Sequence, residues 1–580
     1  MKRKLLMTSA IFMATLMLLS SGLTMLAQEP AVGGTYRTRL TSDILTLNPW
    51  FWGMMIEGNI IDHMYDSLIT YDVNNEVRLE LCESYSISTD FTTWTFNIVQ
   101  NAVWHDGEVV DADDVVWTWQ TLTDDAGIPR RSWLYDSVVS ITRVSQFSVE
   151  LVLDYGPKAV DVLVEIGTEE ILPEHIWKDV DYYDFTNDNP IGCGPFTFGE
   201  REVGQYFILL RNENYFLDGP YVNEKILTII PDESTTYYSL SVGDIDVYDG
   251  PPPELISVAE ADPKIFIHEY LADFIMYLGV NQRRWPNNVT KFKQAVLTGI
   301  KRQDVVDIVF GGRALVATAS MSLPRGPYYN PDIPQYDYDV AWSNATLDSI
   351  GLSDTNDDGW RDANGTNLSF DLLVSAEYQD STDTARLMAD DMEDLGIKVN
   401  VKPVLWPILW QSVGGAGSLG GDYNYAGKYD YDWAYLGWSG FWSDFHPSWM
   451  GWMYAVDQWW GSDDVNIPGW NSSVRWEVND IIGQIQLETD EVAYTALLKE
   501  AQLLVAQDLC YLPIVNTGGV TLYRNDSITG YIMGETAGPD NFQSDLSVYS
   551  IAAPGDGFQI ITAVVAISLV AYIYFRKRKK

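Results

Sequence analysis

The chain has 580 residues, more than one compact core holds, and that length favours two to four core units. With 46% hydrophobic and 13% aromatic residues it is not a disordered chain. A formal net charge of −45 gives a surface that repels nucleic acid and anionic headgroups, so nucleic acid is not an expected partner.

Residues 1–27 combine a basic start (Lys2, Arg3, Lys4), an apolar run from Leu5 to Leu19 and small or polar residues through Ala27. This predicts a signal peptide cut near Ala27–Gln28, and no Cys lies nearby to take a bacterial-type lipid. Residues 35–72 alternate short apolar runs with turn residues and then give the helix-like GNIIDHMYDSL. SYSISTDFTTWTFNIV follows, where T-T-W-T-F-N-I alternates at period two and predicts a hairpin strand. WHDGEVVDADDVVW at 104–117 packs one His, five carboxylates and two Trp into fourteen positions. Local roles account for them. His105–Gly107 reads as a turn, and Asp111 or Asp113 accepts from the free amides of the next helix. In that helix, DDVVWTWQTLT at 113–123, Val115, Val116, Trp119 and Leu122 share a face. No metal or reaction is needed there.

TNDNPIGCGPFTF at 186–198 reads as a Gly/Pro-rich hinge, and 205–275 is strand-rich. Two helical stretches follow at 290–310, a helix closing on Gly396 at 382–396, and a strand in IKVNVKPV. Residues 410–470 are rich in Gly and aromatics, including Trp433, Trp438, Trp442, Trp449, Trp452, Trp459, Trp460 and Trp470. Helices are expected at about 474–488 and 490–508. Strands and helices alternate throughout, so the class is α/β. FQIITAVVAISLVAYIYF at 558–575 is an uncharged run of 18, about 27 Å as a helix, which predicts a transmembrane helix. The RKRKK at 576–580 fits a cytoplasmic basic tail, which places residues 28–557 outside the cell membrane.

Enzyme motifs are missing. There is no G-x-x-x-x-G-K-[ST] and no H-E-x-x-H. Ser439 has Gly437 before it, but Phe441 stands where a nucleophile elbow needs Gly. The five His are scattered, and 81 acidic residues offer too many pairs to single out a glycosidase. The expectation is a protein without enzyme activity or required cofactor, with a surface hydrolase as the reading outside binding. Cys82, Cys193 and Cys510 permit at most one disulfide. Six Asn-x-Ser/Thr sequons, at Asn288, Asn344, Asn364, Asn367, Asn471 and Asn525, suit an exported glycoprotein. In DTNDDGWRD, Asp354, Asn356 and Asp358 alternate before Gly359, and Asp362 follows. This is the first half of a calcium loop; its twelfth position is Gly365, not Glu, and a solvated acidic turn is the other reading.

Seven segments in order resemble one family. They are SDILTLNPW at 42–50, WTFNIVQNAVWHDGEVVDADDVVWTW at 94–119, NPIGCGPFTF at 189–198, LLRNENYF at 209–216, VGDIDVY at 242–248, FKQAVLTGIKRQDVV at 292–306 and EVAYTALLKEAQLLVAQDLCYLPIV at 491–515. The chain is similar to the extracellular solute-binding proteins, family 5, of peptide and nickel ABC transporters. The resemblance implies a type II two-lobed periplasmic-binding-protein-like fold. Lobe I would be 33–75, 193–273 and 512–550, with an extra subdomain at 76–192, and lobe II would be 274–511. It also implies a monomeric receptor that captures a peptide or other small solute and serves a separate permease with its ATPase subunits. The C-terminal anchor resembles an arrangement of archaeal binding proteins.

In peptide binders of this family an Asp in a "GW-x-AD" segment meets the peptide amino group. GWSGFWSDFHP at 437–447 is the similar stretch, and it puts Phe441 where that Asp stands, with Asp444 three residues later. The implied ligand contacts are Trp438, Phe441, Trp442 and Asp444. If no carboxylate serves there, a neutral oligosaccharide stacking on Trp438 and Trp442 is the alternative ligand. The acidic turn adds a structural calcium ion on Asp354, Asn356, Asp358 and Asp362.

Overall fold

The computed structural model describes residues 32–73, 76–156, 162–326, 328–363, 365–414, 429–439, 454, 467–488, 490–533 and 541–550. The predicted signal peptide, the apolar run at 558–575 and the basic tail lie outside them. Among the described residues no helix is long and apolar enough to cross a membrane.

Three main sheets carry the fold. The first has four strands, with Thr35–Leu40 parallel to Glu224–Ile229, followed by Tyr206–Arg211 and Phe196–Glu202. The second is an antiparallel meander of Cys82–Ile87, Thr93–Ile98, Ser148–Leu153 and Val138–Ser145. The predicted alternation holds in it: Trp94, Phe96 and Ile98 are buried while Thr93, Thr95 and Asn97 are not. Helix Ala112–Asp124 packs on this meander and buries Val115, Trp119 and Leu122. Asp111 caps the helix by accepting from the Asp113 N–H at 2.8 Å. Both sheets share one hydrophobic core, reaching from Tyr36 through Trp94 and Trp119 to Phe207.

The third sheet has seven strands and runs from the small core around Leu240 and Tyr248 into the second lobe. Its path is Val247–Asp249, Leu512–Arg524, Ile265–Val280, Trp433–Ser439, Ser369–Ser375 and Lys398–Val404, with Leu315–Val316 alongside Leu512–Arg524. The last two strands of the path are parallel, and helix Gln379–Glu393 connects them. Gly396 ends that connection at φ +68°, a conformation that glycine adopts without strain. Two cores cover the sheet's faces, one around Leu278, Leu372 and Trp433, the other around Ile275, Leu436 and Val478.

Two long strands tie the parts together. Ile265–Val280 starts in a small core with Leu240 and Tyr248 and ends in the second lobe. Leu512–Arg524 runs the other way beside it. The pairing slips between Leu271 and Ile275, a bulge midway along the crossing. The boundary expected at 273/274 therefore falls inside a strand. The sequence pattern saw a strand-rich region there but not its continuity.

The WHDG turn acts as a clasp. His105 Nε2 donates to the Gly194 carbonyl at 3.1 Å, and Nδ1 accepts from the Gly192 N–H at 3.2 Å. That pairing fixes one tautomer. Burial holds the imidazole down at about 4, so it is neutral at pH 7. Gly192 and Gly194 lie against the Met64 backbone, where a Cβ on Gly192 would stand 1.8 Å from the Met64 carbonyl oxygen. The three Cys are free thiols, all buried.

Candidate functional site

The first and third sheets meet where strand Thr35–Leu40 passes Val247–Asp249, with the Arg37 N–H donating to Asp246 Oδ2 at 2.8 Å. Beside this junction is a cavity of about 350 Å³. Its walls are the end of the first strand, helix Met55–Ile61, strand Glu224–Ile229, Asp249 and helix Phe542–Ser547.

One wall is a buried polar triad. Lys225 Nζ donates to Asp545 Oδ1 at 2.7 Å and lies 2.9 Å from His63 Nε2; His63 Nε2 is also 2.7 Å from Asp545 Oδ2. Lys225 and Asp545 are 2% and 1% exposed, so each needs the other. Burial works against the Asp545 carboxylate, but the facing Lys225 and His63 hold it below the ordinary range. Arg39, on the neighbouring wall, is gripped bidentately by Glu233 at 2.7 and 2.8 Å.

Asp249 ends its strand facing the cavity. Thr521 Oγ1 and Tyr270 Oη both donate to its Oδ1, at 2.5 and 3.1 Å. The Tyr270 ring lies flat over Gly519, where an added Cβ would come within 2.1 Å of it, and it stacks on His268 at 5.7 Å. Asp249 is exposed, but the protein crowded around it pushes its carboxyl above its ordinary range despite both donors. Across the cavity, Asp62 follows the end of helix Met55–Ile61. Asp62 is exposed, but the protein crowded around it, then Glu170 and Glu80, push its carboxyl well up; Arg130 opposes them.

Of the ligand residues implied by the sequence, the structure describes Trp438. It sits on strand Trp433–Ser439 opposite Ile275, half-buried against the core around Leu436. Phe274 folds over Gly437, where an added Cβ would meet its ring at 2.1 Å. The GW pair thus lies at the bulge of the crossing strand. Phe441, Trp442 and Asp444 lie outside the described residues.

The acidic turn is closed on itself. Asp354 Oδ2 accepts from the Gly359 N–H at 2.8 Å, Asn356 Oδ1 from the Asp358 N–H at 2.9 Å, and Asp358 Oδ1 from the Trp360 N–H at 2.9 Å. Gly359 has φ +92°. Asp362 turns away to accept from the Thr355 N–H at 2.7 Å. Among the described residues no three His, Cys, Asp or Glu are grouped closely enough to hold a metal ion. Asn288, Asn367, Asn471 and Asn525 are exposed, whereas Asn344 Oδ1 accepts from Arg361 at 2.7 Å.

Sequence reasoning singled out neither Asp62 nor Asp249. Their signals were an acid after the apolar turn of GNIID and an acid ending the strand of VYDGPPP.

Residues 76–460 match the family described as bacterial extracellular solute-binding proteins, family 5 middle. The oligopeptide-binding protein AppA of Bacillus subtilis strain 168 is 27% identical over 392 residues, 66% of this chain and 69% of that protein. The nickel-binding periplasmic protein of Escherichia coli K12 is 25% identical over 346 residues, 58% and 65% of the two chains. The solved Bacillus subtilis AppA in complex with a nonapeptide superposes with a TM-score of 0.74 at 23% identity, covering 90% of this chain and 100% of that one. A periplasmic oligopeptide-binding protein of Thermotoga maritima gives 0.77 at 18% identity, covering 90% and 100%. At such identities the structural likeness establishes the two-lobed fold.

Proposed function

Because the chain belongs to the bacterial extracellular solute-binding proteins of family 5, we propose that it is a peptide receptor. It captures di- or oligopeptides between its lobes, performs no chemistry on them, and delivers them to a permease powered by separate ATPase subunits. The observation that carries this reading is the family match over residues 76–460. The oligopeptide-binding relative at 27% identity supports the choice of peptide. The bulged crossing strands, Ile265–Val280 and Leu512–Arg524, give the lobes a hinge on which to close.

The test is thermal unfolding of the full chain with pools of di- to nonapeptides and, separately, with oligosaccharides. A ligand that binds only the folded state raises the melting temperature. A rise with peptides is expected. A rise with sugars alone overturns the peptide reading and favours stacking on the aromatic segment around Trp438.

The receptor is proposed to face outward, tethered by 558–575. Deleting 558–580 should move it from the membrane fraction to the medium. The turn at 354–362 carries a separate proposal, a structural calcium ion on Asp354, Asn356 and Asp358. Its support is their alternate spacing and the left-handed Gly359. Calcium should raise the melting temperature of the wild type and not of Asp358→Ala; equal responses sink that site.

A further inference from the structure

The cavity in lobe I is mixed in charge, and its cations are already engaged. Arg39 is held by both oxygens of Glu233. Lys225 is held by Asp545 and His63. Two carboxyls remain on the lining, Asp62 from the helix end and Asp249 from the strand end, and neither has a cationic partner there.

Asp249 accepts from neutral donors, the hydroxyls of Thr521 and Tyr270 and the Gly250 N–H. Asp62 hydrogen-bonds the Glu170 carboxyl and has Glu80 as a second acidic neighbour. Glu80 Oε1 is itself buried without a hydrogen-bond partner, on a residue 4% exposed. The opposing cation is Arg130, which also answers to Glu169 and Glu170 and lies 3.5 Å over the Trp52 ring. One guanidinium thus faces three carboxyls. Asp62 and Asp249 are themselves exposed, so an incoming cation can reach both. About 350 Å³ is within the size range of a ligand pocket and admits an alkylammonium group.

We propose that this cavity seats a cationic group of the bound solute, the ammonium of a peptide's amino terminus or basic side chain, between Asp62 and Asp249. The proposal deepens the receptor reading and rests on it. Both carboxyls are raised above their ordinary range in the ligand-free protein. An arriving cation favours the charged form of both carboxyls, so binding tightens as pH rises through their titration.

The test uses three probes on the full chain by titration calorimetry: tri-alanine, N-acetyl-tri-alanine and 1,5-diaminopentane. Tri-alanine should bind at least about tenfold more tightly than its acetylated form. Asp249→Asn, which keeps an acceptor for Thr521 and Tyr270, should bring the two within about twofold, and Asp62→Asn should act in the same direction. Repeating the wild-type titration in buffers of different ionisation enthalpy, at a pH within the titration of the two carboxyls, should show net proton release. That readout holds even if a variant fails to fold. Equal binding of the two peptides by the wild type overturns the cation seat and leaves the peptide reading standing. Binding of the diamine alone, lost in Asp249→Asn, keeps the seat and overturns the peptide reading. No binding of any probe overturns both.

Discussion

His105 and Glu80 oppose each other in pH, and the opposition can be measured. Burial against Gly192 and Gly194 moves the His105 imidazole from 6.5 to about 4. Burial moves the Glu80 carboxyl from 4.5 to about 7. Each pKa unit corresponds to about 1.36 kcal/mol, so each group accounts for about 3 kcal/mol over its window. For His105 the unfolded chain binds the extra proton. Its contribution is complete above pH 6.5 and is lost as pH falls toward 4. For Glu80 the folded chain binds the extra proton. Its contribution is complete below pH 4.5 and is lost as pH rises through 7. Between pH 4.5 and 6.5 the two slopes cancel. The perturbations are His105→Gln, whose amide can donate and accept in place of the ring nitrogens, and Glu80→Gln. The assay is urea unfolding followed by tryptophan fluorescence from pH 4 to 8, since Trp94, Trp104 and Trp119 lie in the core shared by both residues' elements. Taken as a difference from wild type, His105→Gln should gain about 3 kcal/mol between pH 6.5 and 4. Glu80→Gln should gain about the same between pH 4.5 and 7. A flat difference for His105→Gln would refute the buried neutral imidazole, and a flat one for Glu80→Gln would refute the protonated carboxyl.

Gly192→Ala places a Cβ against the Met64 carbonyl oxygen, a backbone atom that cannot swing aside, and should destabilise by about 2–3 kcal/mol, read as a lower urea midpoint. Asp508→Ala removes the acceptor of Thr290, Trp470 and Ser472 and leaves Lys293, 1% exposed, beside no carboxylate. The expected loss is about 3–5 kcal/mol by chemical denaturation, partly recovered by adding Lys293→Met. Gly519→Ala should displace the Tyr270 ring, loosening its bond to Asp249, and weaken peptide binding more than it lowers the melting temperature.

The sequence by itself determined the local elements and the family. Alternation in TWTFNI placed Trp94, Phe96 and Ile98 inward, and the spacing of Val115, Trp119 and Leu122 placed a helix face, because pleat and helix periods act on neighbouring residues. Seven ordered segments carried the two-lobed expectation. What the tertiary structure alone decided was proximity between residues far apart in the chain. His63, Lys225 and Asp545 come from three separate segments and form one buried triad. Asp62 and Asp249 reach one cavity only because the first strand passes beside Val247–Asp249, and no periodicity records that crossing. The protonation of His105 and Glu80 was equally hidden, since it depends on what buries a group and not on its neighbours in sequence.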